Sequence, residues 1–488
     1  MNAADKYETV IGLEVHVELN TKTKIFCGCK NEFGAEANTH ICPACLGLPG
    51  SLPVFNEGVL YRAVKAGLAL GSAIADKSKF DRKNYYYPDL PKAYQISQYD
   101  MPICVGGSVD IVKKDGTKKK IGITRLHMEE DAGKLLHLTK SGQIGDAEES
   151  LVDYNRGGVP LVEIVSEPDM KTAEEAYLYL TNLKSILEYI DVSDCNMEEG
   201  SLRCDANISI MEKGAKQFGT KVEIKNMNSF KNVQKAIEYE VERQIKATEE
   251  KEPIIQETRL WNPDKNKTYS MRSKEGSHDY RYFPEPDIPP MVISEEYKDK
   301  IRKEIPELPV QKTERFVKEY GIPEYDAGVL TADKSFADYF EKTAKLSGEP
   351  KQASNWIMGD LSAKMNAAGM QKISEVKITP ENLAKMIALI KNATISGKIA
   401  KTVFEEMFAS GNDPEKIVKE KGLVQITDTG AIEAAVDAVI AANAKVVEEI
   451  KGGKPAGMGF LVGQIMKQTQ GKANPQMVNE LLKKKLLG

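Results

Sequence analysis

The 488-residue chain has no apolar run near the roughly 20 residues that cross a bilayer, so no membrane span is predicted. Segment 1–8 is polar and lacks the apolar stretch of a signal peptide, which favours a cytoplasmic protein. The pattern Gly-x-x-x-x-Gly-Lys-Ser/Thr does not occur, so any use of ATP does not depend on a P-loop. An excess of positive charge is also missing: the formal net charge is −5, and contact with nucleic acid must be local.

The composition suits a globular protein, since 41% of the residues are hydrophobic and 28% are charged. In the first half, apolar and polar residues alternate as they do in antiparallel strands with one polar face. These segments are 10–19, 201–210 and 221–225. Capping residues and apolar stripes predict helices that begin near Thr172 and after Ser229.

The second half has a different pattern. A proline-dense stretch, Phe283–Pro290, cannot form the interior of a helix or of a central strand and is predicted to be extended. Beyond it the pattern is helical, with helix starts at Thr379 and Asn474 and a break at 411–414. The predicted fold class is α+β. A domain built on a mainly antiparallel sheet with helices, 1–294, precedes an all-α domain, 295–406, and a small all-α tail, 407–488.

Four of the seven cysteines lie close together in the sequence. Cys27 and Cys29 are separated by one residue and Cys42 and Cys45 by two, with twelve residues between the pairs. Two thiolate pairs at this spacing offer the four ligands of a closed, structural zinc site. The alternative is four reduced thiols in a loop without a ligand.

Ionisable side chains share the polar faces of the predicted strands. Glu14 and His16 project to the same side, because side chains alternate with a period of two. Glu163 lies in a segment that is apolar on both faces, where a carboxylate needs a cationic or metal partner. With Glu129, from the segment 124–131, these residues predict an oxygen-rich Mg²⁺ site that includes one imidazole.

Two alternatives apply to these residues. The polar face of the first strand, taken alone, is typical of a solvated strand, and the carboxylates could form ion pairs with arginines instead of a metal site. The arginines are Arg125, Arg156 and Arg203. Arg203, Asp205 and Asn207 share one face of their strand.

Phosphate binding is predicted for the segment 155–158. Asn155, the Arg156 guanidinium and the backbone amides of Gly157 and Gly158 are suitable donors for a phosphate. A Gly-Gly pair is equally typical of a simple turn.

The end of the chain is locally basic. From residue 451 to 488 there are seven lysines and one glutamate, Glu480, so this segment can contact RNA phosphates. The alternative is a solvated helix end, where Lys483, Lys484 and Lys485 interact favourably with the helix dipole.

Several long motifs resemble one family, the B subunits of bacterial aspartyl/glutamyl-tRNA amidotransferases. They are IGLEVHVE at 11–18, KFDRKNY at 79–85, KAYQISQ at 92–98, LHMEEDAGK at 126–134, VDYNRGGVPLVEI at 152–164, EGSLRCDAN at 199–207 and DYRYFPEPD at 279–287. The resemblance spans the chain, and motifs of this length and number are highly specific.

The resemblance implies a cradle-shaped N-terminal domain, a helical domain and a helical tail that contacts tRNA. It also implies a heterotrimer, in which an amidase-type A subunit releases ammonia from glutamine and a small C subunit supports the pair. The B subunit would use ATP and Mg²⁺ to activate the side-chain carboxylate of misacylated Glu-tRNA(Gln) or Asp-tRNA(Asn) for amidation. The residues implied are Glu14, His16, Glu129 and Glu163 for Mg²⁺ and phosphoryl transfer, Arg203, Asp205 and Asn207 nearby, and Lys83 for the ammonia path.

Two other functions remain open at this point. One is an ATP-dependent ligase that acts on a free amino acid without tRNA, and it has no need of a basic tail. The other is a non-catalytic, zinc-stabilised RNA-binding scaffold, which leaves a buried Glu163 beside a His/Glu cluster unexplained.

Overall fold

The computed structural model describes residues 6–138, 149–273, 279–370, 372–424, 429–452, 457–469 and 472–487. The chain divides into two compact units, Met1–Leu308 and Pro309–Gly488. The first unit includes the helix Glu295–Glu304, which buries Ile301 in its core. The predicted domain boundaries at 294 and 406 stay predictions.

All the described strands belong to the first unit and end by residue 292. They are β1 Tyr7–Glu18, β2 Ala73–Ile74, β3 Lys77–Ser78, β4 Asp81–Asn84, β5 Tyr94–Ser97, β6 Cys104–Val105, β7 Ser108–Val112, β8 Lys118–Glu130, β9 Lys134–Leu138, β10 Glu149–Asp153, β11 Pro160–Ser166, β12 Leu202–Glu212, β13 Val222–Lys225, β14 Glu257–Asn262, β15 Lys267–Ser273, β16 Phe283–Pro284 and β17 Met291–Val292.

Helices cover one side of the sheet and make up the second unit. They are α1 Glu57–Ala69, α2 Ala173–Tyr189, α3 Phe230–Glu249, α4 Glu295–Glu304, α5 Pro309–Tyr320, α6 Glu324–Thr331, α7 Lys334–Ser347, α8 Pro350–Asn355, α9 Ser362–Ala367, α10 Pro380–Lys391, α11 Gly397–Ser410, α12 Pro414–Glu420, α13 Thr429–Ala442, α14 Ala444–Lys451, α15 Gly457–Gln468 and α16 Pro475–Leu486. A π-helical turn, Trp356–Leu361, joins α8 to α9. No helix among the described ranges is long and apolar enough to cross a membrane.

The main sheet has ten strands in the order β15-β14-β13-β12-β1-β11-β8-β6-β2, with β7 paired to β8. Neighbouring strands in this sheet are antiparallel except for β13 and β14, which are parallel and are connected through α3. The prediction of a mainly antiparallel sheet followed by helices is therefore confirmed.

The alternation of β1 separates a buried face from a polar face. Leu13, Val15 and Val17 are buried in one core with residues of α2, such as Leu180 and Leu183. The intervening glutamates and His16 are half-buried on the opposite side. Helices thus close one side of the sheet, and the ionisable residues line the other.

Local capping explains where the predicted helices begin. Thr172, Ser229, Thr379 and Asn474 each accept a hydrogen bond from a backbone amide in the first turn of the helix that follows. One detail differs from a full capping box: the carboxylate of Glu175 accepts from the backbone amide of Lys171, one residue before the cap, at 2.7 Å. The four predicted starts are confirmed.

The proline-dense stretch contains no helix, as predicted, but it is only partly extended: Phe283–Pro284 forms β16, and a turn at residues 286–287 follows. β16 pairs with β4, and β17 pairs with β3. Arg82 of β4 holds the stretch through a two-pronged contact with the buried Glu285, at 2.7 and 2.9 Å. This contact also fixes the strand that carries Lys83.

The helical unit has the predicted break after α11. Gly411 adopts a left-handed conformation with φ of +75° at the end of that helix, and Asp413 caps α12, which begins with Pro414. Towards the end of the chain, a separate apolar core forms between 432 and 486, and it includes Ile432, Leu461 and Leu482.

Candidate functional site

The register of four neighbouring strands brings together side chains that are far apart in the sequence. His16 of β1 lies opposite Glu163 of β11 on one side and Arg203 of β12 on the other. Glu163 in turn lies opposite His127 of β8. Directly opposed residues of antiparallel strands project to the same side of the sheet, so these residues form a row on the polar face.

This row continues into a histidine–carboxylate cluster, formed by His16, His127, Glu129 and Glu163. His16 Nε2 lies 3.5 Å from Glu163 Oε2 and 3.7 Å from Glu129 Oε1. His127 Nε2 lies 3.2 Å from Glu163 Oε2 and 3.8 Å from Glu129 Oε2. One ligand atom each from His16, Glu129 and Glu163 lie within 4.8 Å of one another, which is close enough to hold a metal ion. The sequence predicted a cationic or metal partner for Glu163, and its partners in the structure are the imidazoles of His16 and His127.

His127 was not among the predicted site residues, although it shares a strand face with Glu129. Its side chain is buried, and its Nδ1 has no hydrogen-bond partner among the described residues. A buried polar atom without a partner is unfavourable unless an additional group completes the site. The two-residue spacing between His127 and Glu129 was the signal that could have identified it.

Glu14 belongs to a second group, the triple-carboxylate cluster of Glu14, Asp205 and Glu223. One carboxylate oxygen from each lies within 4.8 Å of the others. Glu14 lies opposite Asp205 in the register of β1 and β12 and accepts a hydrogen bond from Asn207 at 2.8 Å. Glu223 was not predicted, because it enters the cluster through the pairing of β13 with β12, opposite Asn207. The single site expected from the sequence is therefore arranged as two adjacent clusters.

A lysine balances part of the charge of the triple-carboxylate cluster. Lys225 of β13 forms an ion pair with Asp205, and its Nζ lies 3.5 Å from Glu223. Burial disfavours the ammonium form, but the neighbouring carboxylates raise the pKa of Lys225 above its ordinary value. A cation site here therefore has a fixed positive charge at its edge.

The arginines do not take the place of a metal at the histidine–carboxylate cluster. Arg203 Nη1 lies 2.7 Å from Asp131, and Arg156 Nε lies 3.5 Å from the same carboxylate. Arg125 donates to the backbone carbonyl of Tyr99 at 3.1 Å. Asp131 thus binds two arginines, and within the described ranges Arg125, Arg156 and Arg203 form no ion pair with Glu129 or Glu163.

The two imidazoles determine the charge state of the cluster. Burial disfavours the ionised form of Glu163, but hydrogen bonds with His127 and His16 hold its pKa well below the ordinary value. Burial alone would lower the pKa of His16, but the hydrogen bond with Glu163 and the charges of Glu163 and Glu129 raise it to about 9. Without a metal, an imidazolium therefore supplies the positive charge that the carboxylates need.

The segment 155–158 forms a turn whose donors already have protein partners. The amide of Gly157 donates to the carbonyl of Tyr154, and that of Gly158 donates to the carbonyl of Asp131. Arg156 donates to the carbonyls of residues 132 and 133, at 3.0 and 2.8 Å. Asn155 donates to the carbonyl of residue 36 at 2.7 Å. A phosphate bound here would have to share or displace these contacts.

Lys83 lies on β4 beside an aromatic group. Its Nζ is 4.8 Å from the centre of the Tyr280 ring and 5.6 Å from that of Tyr85. Burial, followed by the charge of Glu129, raises the pKa of the Tyr85 phenol. The Tyr85 phenol thus lies close enough to Glu129 to be affected by its charge.

The four cysteines meet, as predicted. One Sγ from each of Cys27, Cys29, Cys42 and Cys45 lies within 4.8 Å of the others, so the cluster can hold a metal ion. The hydrogen bond with Cys27 is the largest of the effects that lower the pKa of Cys45 to about 4, against the effect of burial. The backbone amide of Cys42 also donates to Cys45 Sγ, at 3.1 Å. Four converging sulfurs, one held as a thiolate, fit a tetrahedral metal.

Comparison with known proteins identifies the class of this fold and site. A family model described as the GatB/GatE catalytic domain matches residues 9–299, and a GatB domain model matches residues 338–486. The chain belongs to the GatB/GatE family. The first match covers the sheet with both ligand clusters and the cysteines.

Individual relatives are similar over almost the whole chain. The B subunit of the aspartyl/glutamyl-tRNA(Asn/Gln) amidotransferase of Carboxydothermus hydrogenoformans is 61% identical over 481 residues, which is 99% of each chain. The protein of the same name from Thermoanaerobacter sp. is 60% identical, with the same coverage. That of Geotalea uraniireducens is 56% identical over 99% of this chain and 100% of its own.

The charge state of His16 leads to a first prediction. In metal-free protein, the His16 imidazole should titrate with a pKa of about 9, and Glu163→Gln should bring it down towards the ordinary 6.5. Because the pKa is raised by folding, the stabilisation is complete below about pH 6.5 and is lost as the pH rises through about 9. NMR of histidine labelled at Cε1 measures this, since the chain has only five histidines and His16→Gln assigns the signal.

The control is Glu250→Gln, which removes a carboxylate that is 52% exposed, away from the sheet face. It should leave the His16 titration unchanged. An ordinary pKa for His16 in the unsubstituted protein would contradict the prediction.

Proposed function

We propose that this chain is the B subunit of a glutamine-dependent tRNA amidotransferase. Its substrates would be Glu-tRNA(Gln) and Asp-tRNA(Asn), whose side-chain carboxylates are activated with ATP and converted to amides. The observation that carries the proposal is the pair of ligand clusters on one sheet face, in a chain that is 61% identical to a protein named for this activity. A free amino-acid ligase or a non-catalytic scaffold does not account for both.

The reaction has two steps. A carboxylate is a poor electrophile, so a carboxylate oxygen first takes the terminal phosphoryl group of ATP, and ADP leaves. Ammonia then attacks the acyl carbon, the bond to the phosphate oxygen breaks, phosphate leaves, and the nitrogen loses a proton. The two steps give Gln-tRNA(Gln) or Asn-tRNA(Asn), and the second needs ammonia protected from protonation by solvent.

The residues of the two clusters would share the binding of divalent cations. His16, Glu129 and Glu163 would hold one, with His127 beside them, and the triple-carboxylate cluster offers a second set of ligands. Mg²⁺, when bound, would neutralise the charge on the transferring phosphoryl group. Because Glu14 and His16 are two residues apart on one strand, their Cα atoms lie roughly 7 Å apart. Both sets of ligands can therefore act on one polyphosphate.

Neighbouring residues would orient the substrates. Arg203, held by Asp131, lies opposite His16 in the register and supplies the guanidinium of the row. Asn207 orients Glu14 through its hydrogen bond. Asn155, Arg156 and the turn amides of Gly157 and Gly158 remain candidates for phosphate contact, with Arg156 the strongest because guanidinium is a charged donor.

Ammonia would come from glutamine, hydrolysed by an amidase-type A subunit, with a small C subunit that completes a heterotrimer. Lys83 is the candidate for guiding ammonia to the acyl phosphate. Its contacts with the Tyr280 and Tyr85 rings support this role, because an aromatic wall excludes water while it tolerates a cation.

A test of the chemistry uses Glu129→Gln in the assembled complex. The change keeps the volume of the side chain but removes one ligand charge. It should lower tRNA-dependent ATP cleavage and amide formation together, by a factor on the order of 10² or more. Basal glutaminase activity should persist, because glutamine is hydrolysed in another subunit.

Thermal unfolding of the same variants distinguishes a catalytic role of Glu129 from a purely structural one. If Glu129 only stabilises the fold, Glu129→Gln will lower the melting temperature and leave ATP turnover per folded molecule almost intact. Glu250→Gln serves as the exposed control for both measurements. Unsubstituted rates in well-folded Glu129→Gln protein would remove the histidine–carboxylate cluster from the mechanism.

The four cysteines are proposed to hold one structural zinc. Elemental analysis should find about one zinc per chain, and the content should fall when Cys42 and Cys45 become Ser. Cys104→Ala is the matched control, because this buried thiol lies in the core of the sheet domain. A zinc-free preparation with an undiminished melting temperature would contradict the proposal.

The end of the chain is proposed to bind tRNA, and the lysines of α16 differ in a way that allows a test. Lys483 and Lys484 are exposed, whereas Lys485 Nζ is held 2.8 Å from Glu433 and 2.6 Å from Asp437. Lys483→Ala with Lys484→Ala should weaken tRNA binding and reduce its logarithmic salt dependence by about 0.9 for each phosphate that is no longer neutralised. Lys485→Ala should have the smaller effect. Equal tRNA affinity and salt dependence in all three proteins would contradict this proposal.

A further inference from the structure

Lys24 is a fully buried lysine beside the four cysteines, with 0% of its surface exposed. Its Nζ lies 3.3 Å from the carbonyl oxygen of Tyr154 and 3.8 Å from Cys45 Sγ. An ammonium group removed from water needs a compensating anion, and a carbonyl supplies only a partial charge. Among these two neighbours, a thiolate at Cys45 is the group that can provide the full negative charge.

The backbone at Lys24 joins two segments that are distant in the sequence. The amide of Lys24 donates to the carbonyl of Cys29, and the next amide, of Ile25, donates to the carbonyl of Gly158, both at 3.0 Å. Gly158 has a φ of +83°, and a Cβ there would lie 3.5 Å from Lys24 Cδ and 3.7 Å from Cys45 Cβ. The turn thus packs directly against the lysine and the cysteine.

Further hydrogen bonds tie the cysteine loop, residues 27–45, to the turn at 153–158. The side chain of Asn38 accepts from the amide of Tyr154 at 2.8 Å, and the amide of Asn38 donates to Asp153 at 3.1 Å. Asn155 accepts from the amide of His40 at 2.8 Å. A displacement of the cysteine loop would therefore be transmitted to the turn.

The turn also contacts the polar face of the sheet. Arg156, at its centre, approaches Asp131, which binds Arg203 at 2.7 Å. Arg203 lies opposite His16 in the register of β12 and β1. A chain of contacts thus leads from Cys45 through Lys24 and the turn to Asp131 and Arg203, and Arg203 is the strand neighbour of His16.

We propose that Lys24 is a positioning residue that neutralises the Cys45 thiolate and fastens the four-cysteine site to the turn at 153–158. Metal binding at the cysteines then holds Arg156 in place beside Asp131. The inference rests on the metal site proposed above. With four thiolates and one divalent cation the site carries a charge of −2, and Lys24 reduces it to −1.

Lys24→Met in the full-length protein removes the charge and keeps the length of the side chain. Zinc should transfer to a chromophoric chelator faster by a factor on the order of 10, as expected when a residue contacting a metal ligand is removed. Hydrogen exchange should increase in the backbone amides of 153–158. Lys24→Arg keeps the charge, so its zinc-transfer rate and its hydrogen exchange at 153–158 should stay close to those of the unsubstituted protein.

Lys30→Met is the matched control, because this lysine lies in the same loop and its side chain is 72% exposed. It should change neither measurement. Combining Lys24→Met with Cys45→Ser tests the pair: the lysine substitution should have little further effect on zinc release once the thiolate is gone. Unchanged zinc release and exchange in folded Lys24→Met protein would overturn the proposal.

Removing zinc from the unsubstituted protein with a chelator tests whether a change at the four cysteines reaches the turn at 153–158. This experiment still applies if Lys24→Met does not fold. Removal of zinc should raise exchange at 153–158 and spare the helix α2, on the opposite side of the sheet. Increased exchange confined to 27–45 would overturn the link to Arg156. If the purified protein contains no zinc, the structural-metal proposal fails, and the exchange of Lys24→Met alone then decides whether the lysine fastens the turn.

Discussion

Both ligand clusters depend on the antiparallel register of β12, β1, β11 and β8. The strands place His16 between Arg203 and Glu163, and Glu14 opposite Asp205. A slip of one residue would turn every side chain of β1 to the other face, burying the carboxylates and exposing the apolar residues that pack against α2. The hydrophobic core therefore sets the geometry of the polar face, and the site cannot be rearranged without disturbing the core.

The sequence predicted individual faces well because alternation depends on local pattern alone. The α+β class, the lack of helix in the proline-dense stretch, four helix starts and the meeting of the cysteines all follow from local spacing or capping. The division into two clusters did not follow, because Glu223 reaches Glu14 only through the pairing of two further strands. Strand order and register are tertiary properties. The inclusion of the helix Glu295–Glu304 in the first unit likewise depends on the burial of Ile301, which is a tertiary contact.

Three carboxylates on the polar face contact three different kinds of cationic side chain. Asp131 has guanidiniums, Asp205 has the ammonium of Lys225, and Glu163 has imidazoles. Imidazole differs from the others because it can lose its proton at accessible pH and bind a metal through the same nitrogen. At the histidine–carboxylate cluster, a divalent cation can therefore replace the proton of an imidazole, whereas the guanidinium and ammonium groups elsewhere on the face keep their charge.

The position of β1 near the start of the chain has a consequence for biosynthesis. Its partners β11 and β12 begin about 140 and 185 residues after β1 ends, so at roughly 5–20 residues per second the ribosome delivers them about 7 to 37 s later. During that time the strand has no native neighbours, and its apolar face is exposed in the nascent chain. Sheets closed by such distant pairings fold slowly. Until its partners are synthesised, the exposed apolar face of β1 is open to non-native association.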